Sequence, residues 1–442
     1  MTIRGIQEFI SCEQGGGTVM GLFWFILFVG FGGLAVDITN GFRHKTMLQA
    51  SADSAALASV IDLPDESAAV TTAIVFSKDN MPTQEYGNIL NAGDVETGLW
   101  DDSTRTFSTS GFPAGTILNA VRVTVDQSVA NNNAVTTNFL RMIGLWSWDV
   151  RAQAVAQAFN PMCLRGGLTA RQKVQITSNN GFVKEICVHG QQGVEMNNNN
   201  YFEPGTEVSM PDLSDLTTPA SGMGSNPGLQ EALTEINKEP RLVNQVDQIM
   251  ADFLDPSSGL HPSYIDTSQP VIEVNQGFQL DLVEPGRVYH VTCPPNVLAK
   301  IPAGAVINQV VIITDCGLQI GAGALVTDSV LGSRSGGGNA GPNKAIIQVP
   351  AGAQLGLADN CAPGGGVQLF SNATMQFASS TGIDGVQMVA AGDIELGALA
   401  TGINGISAQA GGNISMTANN EFGLCQGGVP MLRRYFYWRL VQ

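Results

Sequence analysis

The first pattern along the chain is an unbroken apolar run, Val19–Val36 (VMGLFWFILFVGFGGLAV), without a charge or a proline. About 20 such residues cross a bilayer as a helix, and Thr18 and Ile38 extend the run to that length. A buried core helix would show a polar face, and none is visible. A cleaved signal would have a shorter apolar stretch and a basic start, whereas a single Arg4 stands here with Glu8 and Glu13, and Asp37 follows. The run predicts a retained single-pass helix over 18–38, preceded by a short cytoplasmic N-terminus, 1–17. Helical spacing then continues from Ile38 to Ile61, where Leu48, Ala52, Ala55, Ala56 and Val60 recur at steps of three and four. Leu63-Pro64 closes it, and Glu66–Ser77 predicts a second helix. The period then falls to two in short segments, Asp94–Trp100, Thr104–Ser108, Leu118–Asp126 and Trp146–Phe159. Alternation is strict over Val121-Arg122-Val123-Thr124-Val125, the mark of a half-buried strand. A long helix followed by a small antiparallel sheet makes 39–160 an α+β domain of pilin-like outline.

Beyond Pro161 the pattern changes to an internal repeat. Ile347-Gln348-Val349, Val367-Gln368-Leu369, Val386-Gln387-Met388 and Ile406-Ser407-Ala408 recur every 19–20 residues. Each is followed by small residues or Gly/Asn and then a second alternating piece: Gln354-Leu355, Met375–Phe377, Ile394–Leu396 and Ile414–Met416. The same rhythm links Val174–Ile176 to Val194–Met196, and the run Asn197–Asn200 reads as a corner. Two short strands per repeat of about 20 residues describe a rung of a parallel β-solenoid (β-helix). A jelly roll or sandwich also uses short strands with glycine-rich turns. The expected fold class is therefore α+β then all-β: a transmembrane helix, a pilin-like α+β domain, and a β-solenoid over 161–442 with a helical insertion at about 211–270. The insertion is placed by Leu229–Ile236 and Leu242–Leu254, two helical patterns between prolines; a hinge between half-solenoids is the alternative. The basic, aromatic Leu432–Leu440 reads as a final edge strand capping the solenoid, or as a docking peptide.

Composition narrows the function. The 442 residues are only 13% charged and carry a net charge of −17, so generic nucleic-acid binding, which works by neutralising phosphates, is not expected. Arg4 before the span and Arg43 with Lys45 after it leave the positive-inside rule uninformative. The cysteines say more: Cys12 precedes the span, and Cys163, Cys187, Cys293, Cys316, Cys361 and Cys425 follow it. An even set on one side fits an oxidising compartment and up to three disulfides, sequential pairing being one of 15 connectivities. No metal or cofactor is expected. His44, His189, His261 and His290 are scattered without metal-ligand spacing, and neither a G-x-S-x-G elbow nor a P-loop occurs. Asp101-Asp102-Ser103 reads as a turn. Lyases built on β-solenoids need clustered Asp and a basic residue, whereas here the C-terminal rungs hold one Arg (Arg334), one Lys (Lys344) and isolated acids such as Asp359, Asp384 and Asp393. No catalytic residue is expected.

The opening block carries a resemblance. Glu13-Gln14-Gly15-Gly16, the span, Leu34-Ala35-Val36-Asp37 and then Leu48-Gln49-Ala50-Ser51-Ala52-Asp53-Ser54-Ala55-Ala56-Leu57-Ala58 resemble the N-terminal module of TadG-like proteins of the Tad (Flp) pilus-assembly system. The residues that carry it are Asp37, Leu48, Gln49, Ala52, Asp53, Ala55, Ala56 and Leu57. Residues 147–159 (SWDVRAQAVAQAF), followed by Pro161 and Cys163, are also similar to that family. The resemblance implies a bacterial inner-membrane, single-pass protein with most of its chain in the periplasm. It implies partners among other Tad components: pseudopilins, the secretin or the pilus fibre. Prepilin processing needs a Gly with a Glu five residues on; here Ile10 follows Gly5 and Leu22 follows Gly17 at that distance, so an uncleaved assembly component is expected. A surface polysaccharide-binding or polysaccharide-cleaving β-solenoid and a minor pilus-tip adhesin are the rival readings.

Overall fold

The apolar run and the alanine-rich stretch after it form one uninterrupted helix, α1 (Gly16–Ser59, 44 residues), in the computed structural model of the chain. The structure describes residues 16–442 except 64, 113–117, 160–161, 295–296, 336–345, 360–361, 363, 399–402 and 426–436. Residues 1–15, and with them Cys12 and most of the expected segment 1–17, lie outside the described residues. At 1.5 Å per residue α1 is about 66 Å long. Its first half is exposed, with Phe23, Phe25, Phe28 and Phe31 all open. Its second half buries Leu48, Ala52, Ala55, Ala56 and Val60.

The chain divides into two units, one made of residues up to Phe159 with the C-terminal Phe436–Gln442, the other of Asn160–Tyr435. In the first unit α2 (Glu66–Asn80) starts at Asp65, whose carboxylate accepts the Ala68 amide at 3.0 Å. It packs on α1 through Ala69, Ala73 and Ser77, small residues that let the two helices approach closely. The strands are β1 (Val95–Asp101), β2 (Thr106–Ser108), β3 (Ala120–Gln127), β4 (Val135–Thr136), β5 (Ser147–Trp148) and β6 (Val150–Phe159). β3 and β6 pair antiparallel with Val121, Val123 and Val125 opposite Ala156, Ala154 and Ala152. β-branched residues suit the pleat, and their alanine partners leave room for α1, so helix and sheet share one core.

The last strand, Tyr437–Leu440, corrects the expected solenoid cap. It pairs antiparallel with β6, Tyr437 opposite Phe159 and Leu440 opposite Ala156, so the first unit's sheet runs β2-β1-β3-β6-C-terminal strand. Arg439 fixes it there, reaching Gln157 Oε1 at 3.0 Å and Asp102 Oδ1 at 2.5 Å. The rest of the expected cap, 432–436, lies outside the described residues.

The second unit is mostly β, in parallel sheets. Val367, Val386 and Ile406 occupy matching positions on neighbouring strands, as do Met375, Ile394 and Ile414 in an eight-stranded sheet. Ile347 is out of the phase its sequence suggests: it pairs with Met375, so Ile347–Val349 belongs to the eight-stranded sheet. Val174 and Val194 belong there too, Val174 pairing with Ile414 and Val194. Turns between strands use asparagine: Asn179, Asn199 and Asn419 are left-handed (φ 63°, 63° and 68°). The asparagine after each turn forms a ladder, with Asn420 N donating to Asn180 Oδ1 at 2.9 Å and Asn180 N to Asn200 Oδ1 at 3.0 Å.

Spatial order departs from chain order. From Gly167–Ala170 the strands run outward through Cys187–Gly190 and Glu207–Met210 to Leu233–Glu235. The chain then crosses to the opposite end, Ile272–Asn275, and works back until Ser407–Ala410 pairs with Gly167–Ala170. The crossing segment explains the broken rhythm at 211–270. Of the two expected helices, Leu229–Ile236 is a single turn, Leu229–Ala232, which gives way to a strand because Leu233 finds Val208 as a ladder partner. The other is a short 3-10 turn followed by α3 (Val246–Leu254), whose Val246, Ile249, Met250 and Phe253 cover Val311, Ile313, Phe370 and Val389.

Candidate functional site

The residues that carry the family resemblance lie along one helix, where they attach the apolar span to a folded sheet. Leu48, Ala52, Ala55 and Ala56 are fully buried against β3 and β6, and Leu57 packs at the edge of the same cluster. Gln49 turns sideways: its amide donates to Asp53 Oδ1 at 2.8 Å, one helical turn on, and to the Gln153 carbonyl on β6 at 2.9 Å. Side chain and strand backbone are thereby joined at the register set by the alanines. Asp37 marks the upper end of the span. Its carboxylate is buried and accepts the amides of Asn138, Phe139 and Leu140 at 2.7, 2.8 and 2.6 Å. These donors lie a hundred residues away in the loop between β4 and β5, which is why sequence spacing gives no hint of them. His44 adds a further tie, its Nδ1 lying 2.7 Å from Gln127 Oε1 on β3.

A second cluster lies at one end of the ladder in the second unit. Cys163 and Cys187 stand at disulfide distance. Lys238 Nζ lies 3.6 and 3.7 Å from their sulfurs and forms an ion pair with Glu207. His189, fully buried, holds Ser209 Oγ at 3.0 Å through Nδ1 and Gln191 Oε1 at 2.8 Å through Nε2. Burial, above all, pushes its pKa down to about 4; the Lys238 charge acts the same way, and the Gln191 and Glu207 contacts oppose it. Cys163, Cys187 and Glu207 offer atoms close enough to share a metal, but the sulfurs face each other and the Lys238 ammonium already takes the carboxylate. A cation there would meet another cation. The set suits a buried, neutralised support under the strands better than a metal centre.

The remaining sequence candidates do not converge. Cys293 and Cys316 also stand at disulfide distance, with Sγ–Sγ 2.02 Å; Cys425 is disulfide-bonded, while Cys361 lies outside the described residues, as do Lys344 and Gly336–Asn339. His261 Nε2 meets the Phe253 carbonyl at 2.9 Å. His290 sits between Glu273 Oε2 at 2.8 Å and Asp315 Oδ1 at 3.1 Å, with the Arg334 guanidinium 3.9 Å from Asp315. Asp101 closes the expected turn: the Ser103 hydroxyl and amide, with the Thr104 amide, hold its pKa down to about 2.

The comparisons with known proteins agree with this division. The family model for Flp pilus-assembly TadE/G-like proteins matches residues 15–62, and that for Tad-like Flp pilus assembly matches residues 50–156. A domain of unknown function, DUF7867, matches residues 167–426. No curated protein and no solved structure matches the chain. Through 167–426, more than half its length, the chain belongs to the DUF7867 domain family, and its N-terminal modules make it a TadG-like protein of the Tad (Flp) pilus-assembly system.

Proposed function

We propose that this chain is a structural component of a Tad pilus-assembly machine, held in the inner membrane by α1, with its sheets in the periplasm bridging envelope and pilus. One observation carries the reading: the exposed apolar half of α1 and its sheet-docked half are a single helix without a break. Anchor and folded unit therefore move as one, as a part that bears load between a membrane and a partner requires. The chain's domains run over 39–160 and 161–442, with the last strand, Tyr437–Leu440, returned to the first sheet. Within the second unit, residues of both parallel sheets contribute to one apolar cluster, Val386 and Met388 from one with Ile394 and Leu396 from the other. This supports a closed β-solenoid. The cysteine pairs support an oxidising compartment. The role is non-catalytic: the side chains nearest to chemistry are tied to their own neighbours, His189 to Ser209 and Gln191 and His290 to Glu273 and Asp315.

The test replaces residues 1–40 with a cleavable secretion signal. Surface pili and tight attachment should disappear although the released domain folds. Normal piliation with the soluble form would overturn the reading and favour a freely acting polysaccharide-binding module. For the orientation, a cysteine at the exposed Ser214 should react with an impermeant reagent once the outer membrane is permeabilised; labelling only after inner-membrane lysis would reverse it.

A further inference from the structure

Residues 137–146, between β4 and β5, form a loop whose apolar side chains face outward. Met142, Ile143 and Trp146 are 79, 73 and 69% exposed, and Phe139 and Leu145 are exposed beside them. Scattered apolar residues are ordinary on a protein surface, but a contiguous group marks an interaction site. This group runs alongside the span of α1. A Cβ on Gly33 would stand 2.6 Å from Phe139 Cβ, so glycine is what lets the loop lie against the helix. A groove of about 600 Å³ separates them, lined by Phe25, Gly30 and Leu34 on the helix and Phe139, Met142 and Ile143 on the loop.

The loop backbone also satisfies several of its polar groups within the unit. Asp37 takes the amides of Asn138, Phe139 and Leu140. Met142 N donates to Phe139 O, Gly144 N to Arg141 O, Leu145 N to Leu140 O, and the Thr137 hydroxyl to the Leu145 carbonyl. Leu140–Ile143 is a 3-10 turn, and its bonds leave fewer backbone groups open at a bilayer, where polar groups must be satisfied internally. Arg141 is exposed on the same loop, long enough to carry its charge back to phosphate level, and Trp146 is of the type that gathers at the membrane interface.

We propose that this loop is a second, monotopic membrane contact: Phe139–Trp146 dips into the leaflet beside the span, and phospholipid acyl chains fill the groove. The occupant follows from continuity, since the groove's other wall is the exposed apolar face of the span itself. The proposal rests on the anchored reading of α1, and the test separates the two. The full chain is placed in phospholipid nanodiscs containing a lipid with a diazirine in its acyl chain, irradiated, and its adducts are mapped by mass spectrometry. Adducts are expected on 139–146 as well as on 19–36. Adducts on 19–36 alone would overturn the loop proposal and leave the anchor standing; adducts on neither would overturn both. As a second measurement, the chain keeping only Trp146 (Trp24, Trp100, Trp148 and Trp438 changed to Phe) goes into vesicles with or without brominated acyl chains. At least twofold quenching of Trp146 is expected, and unchanged emission would count against the insertion.

Discussion

A buried imidazole gives the second unit a pH-dependent weakness at the scale of one residue. His189 is neutral when folded, its pKa lowered to about 4 chiefly by burial, while an unfolded histidine titrates near 6.5. Between those values the unfolded chain binds the proton and the folded chain does not, so stability falls as pH falls through this window and the contribution is fully present above it. The loss amounts to on the order of 3 kcal/mol. His189→Gln should therefore flatten the drop in thermal midpoint between pH 6.5 and 4; an equally steep drop would assign the titration to another group. Residues differ in how far sequence reveals them. Leu48, Ala52 and Ala55 could be placed in a core because their spacing is local to one helix. Asp37 and Lys238 could not be understood that way, since their partners, the amides of 138–140 and Glu207, come from distant strands and loops.

Alternation along a strand tells which side chains face inward but not which sheet the strand joins. That is why β1, β3 and β6 can be read closely from sequence, whereas Ile347-Gln348-Val349, which looks like Val367-Gln368-Leu369, falls in the other sheet. The same limit affects Leu229–Ile236, where helical spacing is local and the strand partner that competes with it is not. The ladder positions themselves are firm. Val386 is fully buried between Val367 and Ile406, so Val386→Asp should leave an uncompensated buried charge costing roughly 3–5 kcal/mol, a large share of a domain's usual ~5–15 kcal/mol. Loss of protease resistance over 298–416 is the expected readout. A variant as resistant as the parent would mean that this column faces solvent.

At the scale of the whole molecule, the second unit is an insertion between two neighbouring strands. The chain leaves the first sheet at Phe159 and re-enters it at Tyr437, directly opposite. Nothing local in the sequence announces this, because the pairing joins residues separated by the entire insert. The inserted ladder also begins and ends in its own middle, where Ser407–Ala410 meets Gly167–Ala170 and Phe422 stacks on Phe182 at 5.3 Å. The seam has a consequence in time. Synthesis runs from the N-terminus, yet the earliest strand of the ladder has an edge that only the latest can cover; Asn420 reaches Asn180 from 240 residues downstream. Such long-range closure is slow, and the open edge meanwhile is prone to stray pairing. Chains stalled before Ile403 should therefore aggregate or be degraded, and resistance of 167–235 to protease should rise only once Phe422 has been made. Equal resistance in the stalled chains would show that the outward strands mature alone. Where the seam governs, the protein cannot be finished piecemeal: its last repeats act as the quality check on its first, and an interrupted chain never presents a completed surface to a partner.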